Sequence, residues 1–243
     1  MLVFTNRTVL VGPTDETAFT SEFAPASDEL GMADVTRNGA TSWLLANVAP
    51  AVTDVDAEAA LAAVFAGDKP VLVHLHGNNM SPGQCFERCA RFEELFGVAV
   101  VGFSWPSEGL LPSGRHRPGV TGERAAAEDR WTLASVTAIN FAARGSSVSD
   151  TIARYLQAKS NGRDSAAALA RFLERVGKAQ AIAHTPQRFS IAAHSLGAHC
   201  LQMLLEAGLE RRLPKARNVA LLAHPAFPSR TTAGSPGCRE ATS

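Results

Sequence analysis

The stretch FSIAAHSLGAHC, residues 189–200, decides how this chain is read. A run of apolar residues stops at Ala193-His194-Ser195-Leu196-Gly197, and a helical pattern starts at once. In a G-x-S-x-G corner the positions two before and two after the serine must be small, because strand and helix pass very close there. Ala193 and Gly197 meet that need with one alanine substituted. Such a corner lifts the hydroxyl to the carboxyl end of a sheet, and the helix N-terminus behind it favours developing negative charge. Ser195 is therefore a candidate nucleophile, against the plainer reading of serine as a common turn residue.

Outward from that corner, strands and helices alternate. Pro70 precedes VLVHLHG, a short continuous apolar run of the kind buried on both faces of a parallel sheet. Ser81-Pro82 supplies an N-cap and a first-turn proline for a helix bearing Phe86, Cys89, Ala90, Phe92 and Phe96, which Gly97 ends. VAVVGFSW, 98–105, reads as the next strand. A helix over 149–159 leads to another, capped by Asp164, with Leu169, Phe172, Leu173 and Val176 as one stripe. A strand at 188–193, a helix over 196–208 and the strand NVALLA at 218–223 follow. Residues 1–11 read as one strand. The segment 12–69 is broken by Gly, Pro and Asp, with a short strand near 42–48 and a helix over 54–66.

This alternation predicts an α/β fold, a mostly parallel sheet flanked by helices. The expected domain covers 1–227. Residues 107–160 form a lid or insertion that includes a helical segment at 123–143, and the polar, aperiodic residues 228–243 are expected to be a disordered tail.

A chain of 243 residues suits one such domain. Its formal net charge of zero removes the electrostatic case for nucleic acid or an anionic membrane surface as partner. Asn6 and Arg7 interrupt the first apolar run, so no secretory signal is expected, and no apolar stretch is long enough to span a bilayer. Cys85, Cys89, Cys200 and Cys238 form no disulfide framework and are expected to be free thiols in a reducing cytoplasm. Cys85 and Cys89 share a helical face without a matching ligand pair. No cofactor is implied.

Two further places could hold chemistry. Attack on an ester carbonyl puts charge on oxygen, and two backbone N–H groups must meet it. One comes from the residue after the nucleophile, Leu196. The other belongs on a loop at the same sheet edge, His76-Gly77-Asn78-Asn79, with Asn78 as the candidate and Gly77 letting the backbone turn; Gly-Asn-Asn is also ordinary turn chemistry. His74 and His76 fall on one face of a strand, which opens a lesser, metal-dependent reading, although later strand ends add no comparable ligands. At Phe103-Ser104-Trp105-Pro106-Ser107, again a carboxyl end, Trp105 either walls a substrate pocket or plugs the core.

Together VLVHLHGNN, FSWPS and AAHSLGA resemble the α/β-hydrolase superfamily, in particular a bacterial branch with an HGxNN-type loop, a SWPS strand end and an HSxG elbow. LVFTNR resembles that branch's first strand, and Tyr155 followed by a helix beginning near Ser165 is similar to it too. Relative to it, 108–150 looks like an insertion. The resemblance covers roughly residues 1–225. It implies a serine hydrolase that cleaves a small-molecule or lipid-like ester through an acyl-enzyme on Ser195, with His76, Gly77, His194, Gly197 and Trp105 supporting the site.

The triad pattern then breaks. In this fold the order is serine, acid, histidine. After Ser195 no aspartate occurs; the glutamates are Glu206, Glu210 and Glu240, and the histidines His199 and His224. In the resembling branch an A-P-D follows the next strand, and here LLAHPAFP sets Ala226 at that acid. The acid and base therefore stay unassigned. The chain reads as a C-terminally incomplete hydrolase, as a non-catalytic binding relative, or as one using His224 as base without a conventional acid. His116 and His184 also sit on loops. An incomplete sheet edge would favour self-association.

Overall fold

The computed structural model describes residues 1–40, 42–108, 148–184 and 188–222. The helical segment expected at 123–143, most of the expected insertion, His116, His224, Ala226, Cys238 and the tail from 228 lie outside the described residues.

A mixed seven-stranded sheet carries the fold. It is built from β1 (Leu2–Thr5), β4 (Gly31–Asn38), β5 (Ser42–Ala49), β6 (Val71–Leu75), β7 (Ala99–Ser104), β8 (Ser190–His194) and β9 (Asn218–Leu222), in the order β5-β4-β1-β7-β6-β8-β9. From β1 to β9 every pairing is parallel; β4 and β5 are antiparallel additions on the β1 side. A separate ribbon pairs β2 (Arg7–Val9) with β3 (Phe19–Phe23). The expectation of one strand over 1–11 is thus corrected: Asn6 parts it in two. Its backbone carbonyl accepts from Ala24, and its side chain donates to Ser165 Oγ at 3.0 Å.

The continuous apolar strands are buried on both faces. Val71, Val73 and Leu75 of β6 join Leu2, Phe4, Val101 and Phe103 in one core; Leu72 turns to the other, beside Val3 and Val100. The period of two in side-chain direction makes this division. The larger core lies under α1 (Asp54–Phe65), α3 (Val148–Asp164), α4 (Ala166–Ile182) and α5 (Leu196–Glu206). The smaller core is filled by Cys85, Phe86, Cys89 and Ala90 of α2 (Pro82–Phe96), with Phe19, Trp43 and Leu45. Each buried Leu, Val or Phe contributes roughly 1.5–3 kcal/mol.

Ser81 caps α2 in a full capping box with Gln84, and Gly97 ends it in a left-handed conformation. Asp164 does not cap α4. It is the last residue of α3, and Ser165 takes the junction with helical angles, φ −81° and ψ −10°. The Ser165 N–H still donates to Asn161 and its carbonyl accepts from Leu169, each at 2.9 Å, so the serine closes one helix and opens the next. The described end of the expected insertion belongs to α3, where Tyr155 and Ala158 are part of the main core. No helix among the described residues is long and apolar enough to cross a membrane.

Candidate functional site

Ser195 stands where β8 ends and α5 begins, with φ 51° and ψ −118°. A positive φ is strained for a residue with a Cβ, and such strain persists only where the surroundings enforce it. Here both flanks do. A Cβ at Gly197 would lie 2.6 Å from the carbonyl oxygens of Leu75 and His76, so α5 can leave the strand this sharply only with glycine there. Ala193, fully buried in β8, registers with Leu75. The Ser195 N–H donates to Leu222 of β9 at 2.9 Å. Its hydroxyl does not cap the helix it precedes, and it is partly exposed.

The loop after β6 meets this corner. A Cβ at Gly77 would fall 3.1 Å from the Ser195 Cβ and 2.5 Å from His194 Nδ1, so this backbone runs directly against the elbow. Asn79 follows at φ 53°, a conformation asparagine tolerates. Among the described residues, the backbone amides of Asn78 and Leu196 have no hydrogen-bond acceptor. Two donors unspent within the described residues therefore flank the serine corner.

His76 and Trp105 support the loop from below. The Trp105 indole stacks on the His76 ring, 5.4 Å between centroids, and both residues are fully buried. Trp105 is thus a plug and not an exposed pocket wall. His76 Nδ1 lies 2.9 Å from the Gly77 oxygen and Nε2 accepts from the Trp105 N–H at 3.0 Å, which leaves neither nitrogen for a metal. His74 packs against Phe92 of α2. The two imidazoles do not form a ligand pair, and no group of three or more potential metal ligands occurs among the described residues.

One site residue was not found by sequence reasoning. Arg7 is fully buried, and its guanidinium reaches the loops after both β6 and β7. Nη2 donates to the carbonyl oxygens of Trp105 (2.6 Å) and Met80 (3.2 Å); Nε donates to Ser104 Oγ (3.1 Å). Glu108 closes the guanidinium in a two-pronged pair at 2.6 and 3.0 Å. An arginine inside the apolar opening run was the available signal, since buried charge needs partners.

A groove of about 320 Å³ opens beside the elbow, bordered by Asn78, Met80, His194, Arg88 and Arg91. Burial and the Arg88 charge hold His194 below its usual titration range. Neither of the other two described histidines, His199 and His184, is hydrogen-bonded to the serine. His199 is buried on α5 beside Gly162, and His184 is exposed where α4 ends, at the edge where β8 begins. Cys85, Cys89 and Cys200 are buried free thiols, with burial pushing Cys200 well up. Comparison with family models, with curated proteins and with solved structures finds no match for this chain.

Proposed function

We propose that this chain is a serine hydrolase of α/β-hydrolase type, acting on a small-molecule or lipid-like acyl ester. The observation that carries the reading is the strained Ser195 corner abutted by the Gly77 backbone. Turn serines seldom occupy such angles, whereas a nucleophile elbow requires them. In the proposed reaction Ser195 Oγ attacks the ester carbonyl carbon, and a base takes the hydroxyl proton. The Asn78 and Leu196 amides meet the oxyanion. Collapse expels the alcohol, which takes that proton, and water then releases the acid and restores the serine.

Among the described residues no base is hydrogen-bonded to the Ser195 hydroxyl; His224, outside them, is the candidate from sequence. Free buried thiols are in keeping with a cytoplasmic setting. A fluorophosphonate probe tests the reading: labelling of wild type that vanishes in Ser195→Ala supports it, and no labelling of folded wild type overturns it.

A second reading, a binding protein that keeps the fold without turnover, is favoured by a specific observation. No carboxylate-oriented histidine stands at Ser195 among the described residues. This reading predicts a folded, unlabelled protein.

A further inference from the structure

We infer that Arg7 is a positioning residue for the loop Gly77–Met80, holding it against the Ser195 corner through the turn Trp105–Glu108. The inference rests on the serine-hydrolase reading for its catalytic consequence, though not for its geometry.

The clamp has two layers. In the first, the Arg7 guanidinium binds the turn by the Trp105 carbonyl at 2.6 Å and by both Glu108 carboxylate oxygens. It also reaches the far end of the Gly77–Met80 loop directly, at the Met80 carbonyl. In the second, the turn grips that loop through Ser107. The Ser107 carbonyl accepts from the Asn79 N–H at 2.7 Å. Its hydroxyl accepts from the Met80 N–H at 3.0 Å and donates to the Met80 carbonyl at 3.2 Å. Asn78, the candidate oxyanion donor, lies between Gly77 at the elbow and the residues so held.

The anchor of this clamp stands outside the main sheet. Arg7 belongs to β2, whose partner is β3, and its guanidinium also donates to the Thr20 carbonyl of that ribbon at 3.0 Å. Loosening it frees the loop without unpairing a strand that carries Ser195. The fork is also specific to arginine. A lysine keeps the charge but places its donors on one nitrogen, and it cannot span Ser104, Trp105, Met80 and Glu108 together. An oxyanion donor acts only when held within a fraction of an ångström, so a loosened loop lowers turnover more than substrate binding.

The experiment uses the full chain with Arg7→Lys and, as the gentler variant, Ser107→Ala. Three measurements are made: the rate of fluorophosphonate labelling, steady-state kinetics (kcat and KM) on p-nitrophenyl acetate, and amide hydrogen exchange at Asn79 and Met80. Expected are labelling and kcat lowered about tenfold to a hundredfold with KM little changed. Exchange should be faster at Asn79 and Met80, with the β6 and β8 amides still protected. Should Arg7→Lys not fold, Ser107→Ala carries the comparison. Wild-type labelling rates and unaltered exchange in the folded variants would overturn the inference. If wild type itself does not label, the hydrolase reading falls, while exchange still decides whether the clamp exists.

Discussion

Trp105 closes on His76 from two directions. Its backbone N–H donates to His76 Nε2, and its indole N–H donates to the His76 carbonyl, each at 3.0 Å. Because Nε2 accepts, the ring proton belongs on Nδ1, where it donates to Gly77. A second proton on Nε2 would confront the Trp105 N–H. Burial first, and then the Arg7 charge, holds this imidazole neutral, well below its ordinary value of 6.5. The plug that supports the elbow is therefore a neutral device.

Acid should open it. Burial lowers His74 as well, to about 4, so two imidazoles neutral in the fold would be charged in the unfolded chain below about pH 6.5. The unfolded state then binds more protons, and stability falls as pH drops from 6.5 towards 4. His74 alone accounts for a loss of about 3 kcal/mol across that window. Thermal unfolding followed from pH 7.5 to 4.5 should show this decline, and His74→Leu should remove about one proton from its slope. A flat profile would contradict the burial of both rings.

The Ser195 corner makes a different prediction, about strain. Alanine at 195 keeps the Cβ at φ 51° and should leave stability near that of wild type, whereas Ser195→Gly should exceed Ser195→Ala by about 1 kcal/mol. Chemical denaturation of both variants measures the difference. Equal stabilities would mean that the corner is relaxed.

Gly197 and Gly77 border the same corner but should respond unequally. At Gly197 the new methyl meets two carbonyl oxygens at 2.6 Å, backbone that cannot swing away, and a loss of at least 3 kcal/mol is expected for Gly197→Ala. At Gly77 the nearest atom is His194 Nδ1 at 2.5 Å, on a half-buried side chain, followed by the His194 carbonyl oxygen at 3.0 Å and Ser195 Cβ at 3.1 Å. Gly77→Ala should cost less, about 2 kcal/mol in stability, yet lower fluorophosphonate labelling by about tenfold, because the added atom presses on the Ser195 Cβ. Paired melting and labelling data separate the two.

Much of this site was legible because its chemistry is local. The small residues at 193 and 197, the apolar runs of β6 and β8 and the Ser81-Pro82 start of α2 each declare themselves within a few positions. β3 and β4 went unread in the segment 12–69, where Gly and Pro breaks surround them and β3 is half-exposed, so neither the apolar run nor clean alternation stands out. The break at Asn6 and the clamp by Arg7 depend on Ser165, Glu108 and Met80, remote partners that no local pattern encodes. Residue types showed where an elbow lies; which side chains hold it became visible only with the fold.

The last strand carries a prediction about association. β9 pairs with β8 alone among the described residues, and Val219 and Leu221, on one face, are 55% and 47% exposed. An open backbone rim beside exposed branched side chains is a template for another strand. The protein should therefore self-associate with rising concentration. Leu221→Lys should weaken that association without lowering the melting temperature, since the side chain is already half in water and a lysine on an edge opposes strand addition. Sedimentation velocity across a hundredfold concentration range reads both forms. A wild type that stays monomeric throughout would show that this edge is covered in solution.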